Sequence, residues 1–136
     1  MKRIFIDTSA FLAVLDADDA YHSSAKSAWG EILASASLLV TSNYILVETF
    51  ALVQNRLGLQ AIRVFQEDIV PLLAICWVDA TIHAAATSAL LAANRKKLSL
   101  VDCVSFEVMR HAAIKGVFTF DRHFLEQGFD CVPKKQ

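Results

Sequence analysis

The sequence predicts an α/β protein, a three-layer α/β/α sandwich around a central, mostly parallel sheet of about four to five strands. Three observations lead there. Short apolar runs, IFI at 4–6, LLVT at 38–41, AICWV at 74–78 and VFTF at 117–120, do not alternate with polar residues, the signature of strands covered on both faces. Helical stretches separate these runs. With only 4 Gly and 2 Pro, and no low-complexity segment or repeat, the chain is expected to be regular elements joined by short turns.

In order, residues 3–7 read as a strand and 9–16 as a short helix. Residues 19–36, Ala-rich and opened by Asp18 or Asp19, read as a helix, and 38–41 as a buried strand. Ser42 is positioned as the N-cap of a helix over 43–57, which Gly58 stops. Residues 59–72 read as a helix broken near Pro71, and 74–78 as a strand. Asp79 caps a helix over 80–97. Ser99 and Asp102 have the spacing of a capping box, with Asp in place of the usual Glu, opening a helix over 100–115 that Gly116 closes. A strand at 117–120, a short helical turn and a last strand near 129–132 complete the chain.

A length of 136 residues suits one domain, expected over 1–132, with a short basic tail at 133–136. Hydrophobic residues make up 55%, and mean hydropathy is +0.43. Either an apolar protein–protein interface or an Ala-rich helical core accounts for that excess. A net charge of −1 excludes the strongly basic character of a protein that coats nucleic acid, though not a local basic rim. Cys76, Cys103 and Cys131 are odd in number and lack CxxC spacing, as expected of reduced thiols in a cytoplasmic protein. Asp7 interrupts the first apolar run too early for a signal peptide, and the apolar stretch 69–78 is far short of a membrane span, so neither export nor membrane insertion is expected.

Most of the 14 acidic residues sit among polar neighbours or at element ends, as solvated or capping groups do. Four differ. Asp7 ends an apolar strand, where an unpaired carboxylate is costly. Glu48 lies in YILVETFALV, with Tyr44, Ile45, Ala51 and Leu52 as its helical neighbours and no cation in reach. Asp102 lies in LSLVDCVSFEVM, again with no cation nearby, and Asp121 follows VFTF. Alone, Asp102 and Asp121 serve equally well as helix caps. In an open parallel sheet the ligand crevice lies beyond the carboxyl ends of the strands, which is where Asp7 and Asp121 fall. Clustered carboxylates raise one another's pKa unless a cation neutralises them. Oxygen-only ligation with few or no His or Cys ligands points to Mg²⁺ or Mn²⁺ rather than Zn²⁺, and such metals serve phosphoryl transfer. Ser9, Ser99 and Thr119 are placed to hydrogen-bond these carboxylates or a bound ion's waters.

These segments, IFIDTSAFLAVLD, ILVETFALVQNRLG, LSLVDCVSFEVM and VFTFDRHF, resemble the four motifs of PIN domains, most nearly those of the small VapC-type toxin ribonucleases. The likeness runs from Asp7 to Phe124, with the four acids in the family's order. It implies a compact α/β/α fold and a Mg²⁺- or Mn²⁺-dependent endoribonuclease. Asp7, Glu48, Asp102 and Asp121 take the family's metal-holding and catalytic positions. It further implies a homodimer, silenced by an antitoxin that fills the acidic groove. Hydrolysis by water would leave 5′-phosphate and 3′-hydroxyl ends.

RNA approaching such a site needs cations. Arg95, Lys96, Lys97, Arg122 and the Lys134–Lys135 tail are candidates for backbone contacts, with a solvated helix end as the alternative for residues 95–97. His123 has a conceivable general-base role or a structural one. Trp29, Trp77, Tyr21 and Tyr44 fit either base stacking or packing. Two other functions fit the residues: a non-catalytic RNA- or protein-binding module on the same fold, and an Asp-nucleophile phosphatase or receiver-type domain that uses Asp7. A haloacid-dehalogenase-like phosphatase would need a second Asp at position 9, where this chain has Ser.

Overall fold

The computed structural model describes residues 2–134. Its centre is one sheet of five strands: β1 (Arg3–Ile6), β2 (Leu38–Ser42), β3 (Leu73–Cys76), β4 (Gly116–Phe118) and β5 (Asp130–Val132). All four pairings are parallel and the strand order is β3-β2-β1-β4-β5. β1 is therefore the innermost strand, with Ile4 beside Leu39 on one flank and Gly116 on the other. Ile4, Phe5 and Ile6 are all buried, which is why this strand reads as an unbroken apolar run.

Among the described residues seven α-helices cover the sheet: α1 (Thr8–Leu15), α2 (His22–Ala34), α3 (Asn43–Leu57), α4 (Leu59–Val64), α5 (Ala80–Ala93), α6 (Leu100–His111) and α7 (Arg122–Glu126). Helix α1 packs on α2 and α3, and α5 packs on α6. Phe11 meets Phe65 edge to face at 5.0 Å between ring centroids, and Phe106 meets Phe124 in the same way at 5.1 Å. Each such pair contributes about 0.5–1.5 kcal/mol beyond its buried area. Among the described residues no helix is long and apolar enough to cross a membrane.

The helix boundaries follow local chemistry. Ser42 caps α3, its Oγ accepting from the Ile45 N–H at 3.2 Å. Gly58 then ends α3 at φ 86°, a left-handed conformation that costs a residue without Cβ little. The segment expected as one helix over 59–72 is instead α4, a π-helical turn at Phe65–Ile69 and a 3₁₀ turn at Val70–Leu72 that contains Pro71. The wide turn leaves Phe65 fully buried. Helix α2 starts later than expected, at His22. Asp16 and Asp19 first hold the chain in side-chain turns, accepting from the Asp18 and Tyr21 N–H groups. Helix α5 ends at Ala93 rather than 97, because Asn94 turns left-handed at φ 51°. Helix α6 ends at His111, and the reversal falls at Ala113, φ 56°. Gly116, expected to close that helix, is the first residue of β4.

Candidate metal centre

β1 delivers Asp7 directly into the start of α1. The Asp7 backbone N–H extends the sheet by donating to the Phe118 carbonyl at 3.1 Å. Asp7 occupies the N-cap position of α1, yet its side chain makes no capping bond. Its Oδ2 accepts instead from Ser9 Oγ at 2.8 Å and Thr119 Oγ1 at 2.9 Å, so Oδ1 is the oxygen left for another partner. Both hydroxyls are fixed in turn by backbone donors, Phe120 N–H to Ser9 Oγ and Asp121 N–H to Thr119 Oγ1, each at 2.9 Å. Ser9 and Thr119 thus both touch the first acid, as their positions in the sequence suggested.

Helix α6 brings in Asp102 through a complete capping box. Ser99 Oγ accepts from the Asp102 N–H at 3.0 Å, and Asp102 Oδ2 accepts from the Ser99 N–H at 3.1 Å. Asp121 caps α7, its Oδ1 accepting from the His123 N–H at 2.9 Å. The short helix then folds the His123 ring back. Its Nδ1 lies 3.0 Å from Asp121 Oδ1 and 3.5 Å from Asp102 Oδ2. Ligand atoms of Asp102, Asp121 and His123 all lie within 4.8 Å of one another. His123 Nδ1 is buried and has no hydrogen-bond partner.

The electrostatics are those of crowded, dehydrated acids. Burial pushes the Asp7 carboxyl up to about 7 from 3.8; the hydrogen bonds from Ser9 and Thr119 oppose this, and repulsion from Asp102 and Asp121 adds to it. Burial also raises Asp102, with Asp121 adding to the rise and Ser99 and His123 opposing it. Buried acids under mutual repulsion, beside an unsatisfied imidazole nitrogen, form a donor set that a divalent cation would satisfy. His123 adds a nitrogen to a group that was expected to offer oxygen alone. Sequence spacing gave His123 little weight because its neighbour in space, Asp102, is remote in the chain.

Asp7 borders the tight group without belonging to it, and Glu48 is not part of it either. Glu48 is half-buried on α3 and lines a recess of about 300 Å³ with Tyr44, Val47 and Val101, the residue before Asp102. Of the expected RNA contacts, Arg95 is paired with Glu126 at 3.1 Å in an exposed ion pair. Lys96 and Lys97 are exposed in the turn after α5. Arg122 and Lys134 line a cleft beside Asp121, and Lys135 lies outside the described residues.

Carboxylates gathered at the carboxyl edge of a five-stranded parallel sheet, with β1 innermost, define an α/β domain with an acidic site. A family model described as PIN domain matches residues 4–130, and the chain belongs to that family. It is 32% identical over 127 residues to the 23S rRNA-specific endonuclease VapC20 of Mycobacterium tuberculosis, covering 93% of this chain and 95% of that one. The crystal structure of VapC20, described as a sarcin-ricin loop cleaving toxin, superposes with a TM-score of 0.80. FitAcB from Neisseria gonorrhoeae shares the fold at a TM-score of 0.68 and 17% identity, over 94% of this chain and 95% of that one.

Proposed function

We propose that this protein is a Mg²⁺- or Mn²⁺-dependent endoribonuclease and the toxin of a toxin–antitoxin pair. The observation that carries the reading is the tight group of Asp102, Asp121 and His123, with the buried Asp7 at its border under repulsion from both acids. The endonuclease activity named for VapC20, a relative that matches nearly the whole chain, supports it.

In this reading Asp102, Asp121 and His123 would hold the cation, and Asp7 and Glu48, outside that tight group, would add negative charge that attracts it. A divalent ion supplies Lewis-acid polarisation of a phosphoryl oxygen and stabilises the leaving oxygen. The chain's own residues do the rest. Ser9 and Thr119 fix the rotamer of Asp7 by holding Oδ2. The Ser99 capping box fixes Asp102, and the start of α7 fixes Asp121. Water attacks phosphorus in line, its proton passes to a carboxylate of the cluster, and the 3′-oxygen leaves and takes a proton from solvent to become the 3′-hydroxyl. No 2′-hydroxyl nucleophile takes part.

The protein acts in the cytoplasm as a homodimer restrained by an antitoxin. Val47, Trp77 and Leu91, exposed at 71%, 71% and 74%, are the kind of apolar surface that a partner covers. Light scattering on the purified protein tests the dimer.

The deciding experiment is cleavage of RNA with Mg²⁺, Mn²⁺ or chelator, comparing wild type with Asp7→Asn and Asp121→Asn. Cleavage that needs metal and both acids, leaving 5′-phosphate ends, supports the reading. Products with 2′,3′-cyclic phosphate, or cleavage that survives chelation, overturn it.

A further inference from the structure

We propose that the cleft beside the acid cluster is a nucleobase subsite, in which one unpaired base next to the scissile phosphate stacks on Tyr21. This rests on the ribonuclease reading and assigns the cleft a part in it.

The cleft has a volume of about 690 Å³, enough for a nucleoside, and shares Thr119 and Asp121 with the acid cluster. Its aromatic wall is a stack: the Tyr21 and Phe120 rings lie 4.7 Å apart and 10° from parallel. Phe120 in turn meets Phe118 at 6.0 Å, and Phe118 stacks on Trp29 at 6.4 Å. The column runs outward from the fully buried Phe118 to Tyr21, which is 52% exposed. A large ring that is anchored from behind yet half open to solvent is a preformed platform. Stacking on such a platform tolerates any base, since every base has a π-face.

The platform is tied to the acids at both ends of Phe120. Phe120 directly precedes Asp121, and its N–H donates to Ser9 Oγ, the hydroxyl that also holds Asp7. A base on Tyr21 therefore comes from a nucleotide adjoining the phosphate at the cluster. The cleft's charges suit that occupant. Arg122 is exposed, and no acidic partner for it is found among the described residues. With Lys134 it offers positive charge to the flanking phosphate. Asp130 and Ser24, also in the lining, offer acceptors to base amino groups. RNA read by proteins is most often single-stranded, with splayed bases stacked on aromatic side chains.

The test uses the full-length protein and a single-stranded RNA carrying 2-aminopurine at successive positions. Wild type should quench the fluorophore at one position, on one side of the cut. Tyr21→Ala should abolish that quenching and raise KM for cleavage about tenfold, the range expected for one lost stack. Tyr21→Trp should keep both, which separates stacking from any loss of the tyrosine hydroxyl. Quenching and KM unchanged in Tyr21→Ala would overturn the subsite while leaving the nuclease reading intact. Wild type that neither binds nor cuts RNA with either metal would overturn both. Tyr21→Ala that cuts RNA normally but no longer holds a protein inhibitor would overturn the subsite and make the cleft a protein contact.

Discussion

Thr119 Oγ1 donates to Asp7 Oδ2 at 2.9 Å and accepts from the Asp121 N–H at the same distance. One hydroxyl thus ties the acid after β1 to the acid after β4. The Thr119 hydrogen bond holds the Asp7 carboxyl below the value that burial alone would set. Thr119→Val removes that restraint, so Asp7 rises further and the acidic limb of a cleavage pH profile moves to higher pH. It also leaves the Asp121 N–H without its partner, at a cost of about 1–3 kcal/mol. Urea denaturation reads the second effect. Thr119→Ser keeps the hydroxyl and should restore both.

Asp7→Asn should stabilise the metal-free protein, with a defined pH dependence. The carboxyl is raised from 3.8 to about 7 on folding, so the folded state binds its proton more tightly than the unfolded state. Asp7's contribution to wild-type stability is therefore fully present below about pH 4, falls as pH climbs to about 7, and is flat beyond. The advantage of Asp7→Asn grows over the same window, to the order of a few kcal/mol. Melting temperatures at pH 4, 6 and 8 in chelator measure it. Adding Mn²⁺ should raise the melting temperature of wild type more than that of the variant.

His123→Gln should weaken Mn²⁺ binding about 10- to 100-fold, the range seen when a group bearing on a metal site is lost. Isothermal titration calorimetry measures this without RNA. Equal affinity in the two proteins would remove His123 from the site.

Ser99→Ala breaks the capping box at α6. Loss of the cap should cost about 1 kcal/mol of stability. It also removes one of the hydrogen bonds that keep Asp102 ionised, so Asp102 rises. The metal titration should move to higher concentration, while the fold persists in circular dichroism.

Where a boundary depends on one side chain close in sequence, it is readable before folding. Ser42, Gly58, Asp79 and the Ser99–Asp102 box all act where the sequence places them. The unbroken IFI run disclosed a strand buried on both faces, and the cost of ending it in Asp7 disclosed a site. What escaped was set by tertiary packing. Asn94 ends α5 early and leaves Arg95 to find Glu126 across the fold. Burial of Phe65 accompanies a π-helical turn that no local pattern announces. His123 joins Asp102 only because α7 and α6 meet at the sheet edge, a proximity without sequence periodicity. Glu48 was the acid with the plainest lack of local partners, yet it lies on a neighbouring recess rather than in the tight group.

The strand order sets when the molecule can become active during its own synthesis. β1 is made before β4 and must wait for it, since Ile4 pairs with Gly116. Thr119, Asp121 and His123 are later still. A nascent polypeptide stalled before Gly116 has Asp7, Ser9 and Asp102 but lacks Thr119, Asp121 and His123, so its acid cluster is incomplete. Synthesis must therefore pass Asp121 and His123 before the acid cluster can exist at all.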